Sequence, residues 1–126
     1  QSAEFMVACR TAAVHFKATA GLHHAMPGEY RLTYEDNPPM GHMHGFVNVF
    51  TAAVLVGAKV IDVDQAVSIL EDTDPASFVL SNDVIGWRDH TAPIATVAEQ
   101  RSRFALSYGS CSFDEPTKEL VELVKR

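Results

Sequence analysis

His23, His24, His42 and His44 bring four of the chain's six histidines into one stretch, Phe16 to Gly45, and Lys17 stands at its start. Imidazoles exchange protons near neutral pH, so His23 or His24 can serve as general acid and base. A lysine enclosed among strands loses hydration, and its neutral amine can attack a carbonyl carbon to give a Schiff base. Lys17 is placed for that role, as nucleophile or as electrostatic clamp. The plainer reading is a lysine at a sheet margin whose ammonium reaches water. Gly41 and Gly45 bracket the second histidine pair just ahead of an apolar segment. Free N–H groups at a helix start there, helped by His42 or His44, would hold a phosphate or carboxylate. The expected site therefore has Lys17, His23 and His24 as catalytic groups and Thr19, Gly21, Gly41, His44 and Gly45 as substrate contacts. Its ligand would be a small anionic or carbonyl-bearing molecule.

The same histidines admit a second chemistry. His42 and His44 can present two imidazoles on one side of an extended backbone, with His23 or His24 and the carboxylate of Glu29 or Glu35 completing a donor set for zinc or a similar divalent ion. No HExxH or CxxC pattern accompanies them. Divalent metal is thus a subsidiary reading, and the sequence specifies no cofactor.

Positioning these groups falls to the elements on either side. Ala3 to Ala12 reads as a helix capped by Ser2, with Phe5, Cys9 and Ala12 as its apolar stripe. Val14 to Thr19 alternates as a strand, with His15, Lys17 and Thr19 on the polar face. Active groups of α/β units gather at the carboxyl ends of strands, where Thr19, Ala20 and Gly21 open the histidine loop. Tyr30 to Glu35 reads as a short strand whose tyrosines wall the site, and the glycines and prolines around it punctuate a loop. Phe46 to Lys59 is long enough and apolar enough for a buried helix. Asp62 with Gln65 signals a capping box, as do Thr96 and Glu99. Ser81-Asn82-Asp83 suits a hairpin turn, and Asp83, Asp89 and His90 read as solvated turn residues. Asp114-Glu115-Pro116 opens a last helix with Leu120, Val121 and Val124 turned inward. The fold class expected is α/β or α+β, helix-rich, with flanking helices around a strand plus a β-hairpin.

Composition narrows the partners. With 126 residues, 47% hydrophobic and 21% charged, the chain fits one globular domain over residues 1–126. A net charge of −6 without a Lys/Arg cluster argues against nucleic acid. The longest apolar run falls short of the ~20 residues that span a bilayer, so no membrane partner is expected. Cys9 and Cys111 are too few for a disulfide framework, so reduced thiols in a cytoplasm are expected.

Three segments carry a resemblance. FKATAGLHH (Phe16 to His24), MHGF (Met43 to Phe46) and the GSCSF-x-EP pattern (Gly109 to Pro116) make the chain similar to the C-terminal portion of longer bacterial proteins of uncharacterised function. Where that pattern carries an arginine-containing segment after the paired histidines, this chain has Ala25-Met26-Pro27-Gly28-Glu29. The resemblance implies a grouping of Lys17, His23, His24 and His44 and a chain that is the C-terminal part of something larger, but no activity. Lys17 followed by Ala-Thr-Ala-Gly also resembles, over a few residues, the late strand of deoxyribose-phosphate-aldolase-type barrels. That likeness implies lyase or aldolase-like chemistry on a phosphorylated carbonyl compound. A whole eight-stranded barrel needs about 250 residues, so this chain would form part of one.

Two functional classes stay open on this reading. One is an enzyme domain acting through a Lys/His site on a small anionic or carbonyl-bearing substrate. The other is a non-catalytic accessory or oligomerisation domain with a structural histidine loop, paired with the remainder of a parent chain or with copies of itself.

Overall fold

The computed structural model describes residues 1–19, 21–109 and 114–125. In chain order the elements are α1 (Ser2–Thr11), β1 (Phe16–Ala18), β2 (Gly28–Arg31), β3 (Met40–Met43), α2 (Phe46–Gly57) and α3 (Val63–Glu71). A single 3₁₀ turn (Pro75–Ser77) leads into β4 (Phe78–Leu80), β5 (Val84–Trp87), β6 (His90–Pro93), α4 (Ile94–Arg103), β7 (Ala105–Tyr108) and α5 (Asp114–Val124). The fold is mixed α/β and helix-rich, as the sequence pattern predicts.

Helix α2 is the centre of the packing. Its residues from Phe46 to Val56 are buried apart from Phe50, because α1, α3, α4 and the strands β5, β6 and β7 enclose it. Each aliphatic side chain so enclosed contributes roughly 1.5–3 kcal/mol. Asn48 and Thr51 are the polar exceptions, both fully buried. Asn48 Nδ2 donates to the carbonyls of Ile69 and Asp72, each at 2.7 Å, and so ties α2 to the end of α3. The capping box of α3 forms as expected, with Gln65 N donating to Asp62 Oδ1 and Asp62 N to Gln65 Oε1.

Among the described residues three small sheets surround the helices. β1 and β7 pair in parallel, Lys17 opposite Ser107 and Ala18 opposite Tyr108. β2 and β3 make an antiparallel hairpin, and β4, β5 and β6 an antiparallel meander. Asp72, at the end of α3, fastens this meander: its carboxylate accepts from Trp87 Nε1 at 2.8 Å and from the Asp74 amide at 2.9 Å. No helix among the described residues is long and apolar enough to cross a membrane.

Several local expectations shift. The buried stripe of α1 is Ala3, Met6 and Cys9, while Phe5 lies 54% exposed and meets Phe16 edge-on at 5.8 Å. Gln1, not Ser2, precedes the first turn. β1 is shorter than the expected strand, and the second one runs from Gly28 to Arg31 rather than from Tyr30 to Glu35. His90 is in a third strand instead of a turn, with its ring stacked over Trp87 at 6.1 Å. α4 starts at Ile94, whose amide donates to Asp83 O at 2.8 Å, so the Thr96 and Glu99 signature falls inside the helix. On α5 the expected inward face is turned out, Val124 being 62% exposed, because Pro116, Glu119 and Leu123 face the body instead. Residues 110–113, with Cys111, lie outside the described residues.

Candidate functional site

The chain leaving β1 turns at Gly21, whose φ of +80° suits glycine, and lays its next residues across the start of α2. There Phe46 N donates to His24 O at 2.9 Å and Val47 N to Ala25 O at 3.1 Å, while His24 and Gly45 form a parallel bridge. These bonds occupy the first two amides of the helix, the groups on which an anion holder between Gly41 and Gly45 would depend. Gly45 is required by close approach: a Cβ there would collide with Ala25 O and lie 2.6 Å from Met26 Cα. Both obstacles are backbone. Gly45→Ala is therefore expected to cost roughly 1–3 kcal/mol of overpacking strain. Chemical denaturation would show it, and unchanged stability would mean that this contact yields without cost.

With its backbone fixed on α2, His24 has its ring held by two further elements. Glu119 of α5 takes the ring Nδ1 at 2.8 Å with Oε1 and the Ala25 amide at 2.7 Å with Oε2. Tyr30 of β2 stacks on the ring, centroids 3.5 Å apart and planes 7° from parallel. The Tyr30 hydroxyl donates to Met26 O at 2.8 Å, and burial, with the Glu119 charge adding to it, pushes that phenol's pKa up. The phenol thus stays a donor. Because a carboxylate only accepts, Nδ1 carries a proton, and in the neutral ring Nε2 is left as the basic nitrogen. The His24 side chain is 16% exposed and Glu119 is 35% exposed. The ring borders a hollow of about 250 Å³ lined by His23, Tyr30, Arg31, Tyr34 and Glu115 among others.

Lys17 and His44 border a different hollow, about 350 Å³ in volume, between α1, β1 and the start of α2. The expected grouping is thus divided into His23 with His24 and Lys17 with His44. Lys17 lies on the outward face of β1 and is exposed, as are His15 and Thr19. The enclosure that would activate its amine is not provided by the described residues. Thr19, Gly21, Gly41 and Gly45 line neither hollow.

His42 and Gly41 lie within β3, opposite Glu29 and Tyr30, where a loop was expected. The cause is the hairpin itself, since pairing with β2 draws the segment into extended ladder geometry. His42 Nδ1 stands 3.5 Å from Glu29 Oε1, and its ring meets that of His44 edge-on at 5.9 Å. Among the described residues no group of three or more His, Cys, Asp or Glu side chains is arranged to hold a metal ion.

Glu119 is the residue that sequence reasoning missed. Pro116, Glu119 and Leu123 recur at helical spacing on the packed face of α5, so a carboxylate stands in line with two inward residues. That was the available signal. Comparison with protein-family models, with curated proteins and with solved structures gives no match.

Proposed function

We infer that the chain is part of a cytoplasmic enzyme acting on a small anionic or carbonyl-bearing substrate, with His24 as general acid and base. The observation that carries this reading is the Glu119, His24 and Tyr30 arrangement: a carboxylate fixes one ring nitrogen, an aromatic face fixes the plane, and the second nitrogen is left for a substrate. Such orientation supports proton transfer, because an acid or base contributes only when its reactive atom is aimed. Arg31, which lines the same hollow, would supply positive charge for an anionic group. Proton abstraction next to a carbonyl, the step common to aldolase-like and enolising reactions, is the chemistry this set serves. Lys17 has no part in it. The test is deuterium incorporation at carbon next to the carbonyl for a panel of phosphorylated sugars and keto acids in D₂O, followed by NMR. Exchange on at least one compound, abolished in His24→Gln, is expected; no exchange on any of them counts against the enzyme reading.

A second reading, an accessory or oligomerisation domain, is favoured by the parallel pair β1 and β7. Parallel sheets are normally covered on both faces and built from more strands, yet among the described residues this one has two. Copies of the chain, or the rest of a larger one, would extend it. Light scattering over a concentration series would then show masses above the 13.8 kDa of one chain. One-chain mass at every concentration removes self-pairing.

A further inference from the structure

We propose that the hollow beside Lys17 and His44 is a separate binding site for a small apolar monocarboxylate, distinct from the His24 site. The walls come from Phe5, Met6, Phe16, Leu22 and Val49, contributed by α1, β1, the following loop and α2. A volume of about 350 Å³ lies within the range of small-molecule sites, which are mostly apolar with a few polar groups that fix orientation. Of the polar residues that line it, Gln1, Ser2, Lys17 and His44, the last two supply the ammonium and the imidazole.

Both are donors. The ammonium of Lys17 offers only N–H groups. His44 Nδ1 is buried without a hydrogen-bond partner, so its Nε2 is the ring nitrogen that can bond outward. Buried orphan N–H groups are rarer than unsatisfied acceptors, which places the proton of the neutral ring on Nε2, and the protonated ring has an Nε2–H as well. His44 also borders a neighbouring hollow of similar size beside Glu71. Beside the apolar Val67 and Leu70 that side carries the Glu71 carboxylate, which repels an anion, so the anionic ligand belongs with Lys17. An ammonium and an imidazole donor among mainly apolar walls call for a molecule with one acceptor-only anionic end and a hydrocarbon body. A free phosphate lacks the body, and a neutral alcohol lacks the charge.

The probes are octanoate, octanol and inorganic phosphate, titrated into the whole chain and into its Lys17→Met variant. Lys17 is exposed and methionine keeps the apolar stem, so the variant is expected to fold as the parent does. Octanoate is expected to raise the melting temperature and to shift backbone NMR signals of Phe16 and His44. Octanol should bind at least about tenfold more weakly, phosphate should leave those signals unmoved, and Lys17→Met should weaken octanoate by about tenfold or more, the loss expected for a charge-assisted hydrogen bond. Octanoate affinity should be the same in His24→Gln, which separates this site from the acid/base site. Equal affinity for octanol and octanoate, undiminished octanoate binding by Lys17→Met, or no saturable octanoate binding would overturn the proposal.

Discussion

His24→Gln is expected to lower proton exchange on a responding substrate by roughly 10²–10⁴-fold, the usual share of a general acid or base. Glutamine keeps an amide that can donate to Glu119 and a body that rests on Tyr30, so unfolding temperature should move little. Loss of exchange without loss of stability is the signature of chemistry rather than architecture. Glu119→Gln should act through the ring. Its oxygen can accept from the Ala25 amide, which turns its NH2 toward Nδ1 and favours the neutral tautomer protonated on Nε2, so the ring keeps its place but loses its outward basic nitrogen. A fall in exchange approaching that of His24→Gln is expected there, with the fold unchanged. If His24→Gln exchanges substrate protons at the parental rate, another residue is the base.

The second large effect concerns the scaffold. Asp72→Ala is expected to destabilise the chain by about 3 kcal/mol, because it strips a charged acceptor from a buried indole N–H. The Asp72 side chain is 8% exposed, and Arg88, stacked over the Trp87 ring, reaches its carboxylate at 3.4 Å. The loss corresponds to a melting temperature lower by on the order of 10 °C. Asp72→Asn, which retains one acceptor oxygen, should cost less. The pH dependence follows from the same contacts. Burial pushes the Asp72 carboxyl up, but hydrogen bonds from the Asp74 amide, Trp87 and Ser77, together with the Arg88 charge, outweigh it and hold the pKa below the ordinary value of 3.8. A carboxyl lowered on folding stabilises the native state above its unfolded pKa, and the contribution fades as pH falls through the folded one. Stability should therefore decline below about pH 4, and less steeply in Asp72→Asn. An acid limb of equal slope in both proteins would assign the decline to other groups.

The elements legible in the sequence are those whose cause is local. Phe46 to Gly57 declares itself by length and unbroken apolarity, Asp62 with Gln65 by reciprocal bonds three residues apart, and Ser81-Asn82-Asp83 by turn chemistry. What escaped depends on distant partners. The facing of α5 is governed by Glu119 reaching residues 94 and 95 positions earlier, an attraction that outweighs the hydrophobic pattern of Leu120, Val121 and Val124. Asp72 was illegible for a similar reason, although a buried Trp87 requires an acceptor somewhere for its N–H. For the proposed site, the sequence marks the histidine pair but not the carboxylate that holds the His24 ring. It also joins Lys17 and His44 to a hollow they do not share with His24, since nearness along Phe16 to Gly45 does not determine which side of the backbone each residue faces.

The role of His24 as acid and base depends on the tautomer of its ring. Long-range ¹H–¹⁵N NMR correlation of ¹⁵N-histidine-labelled protein, at a pH where His24 is neutral, should show its proton on Nδ1 and a bare, basic Nε2, with the pattern altered in Glu119→Gln. A ring protonated on Nε2, or one averaging between tautomers as free histidine does, would contradict it.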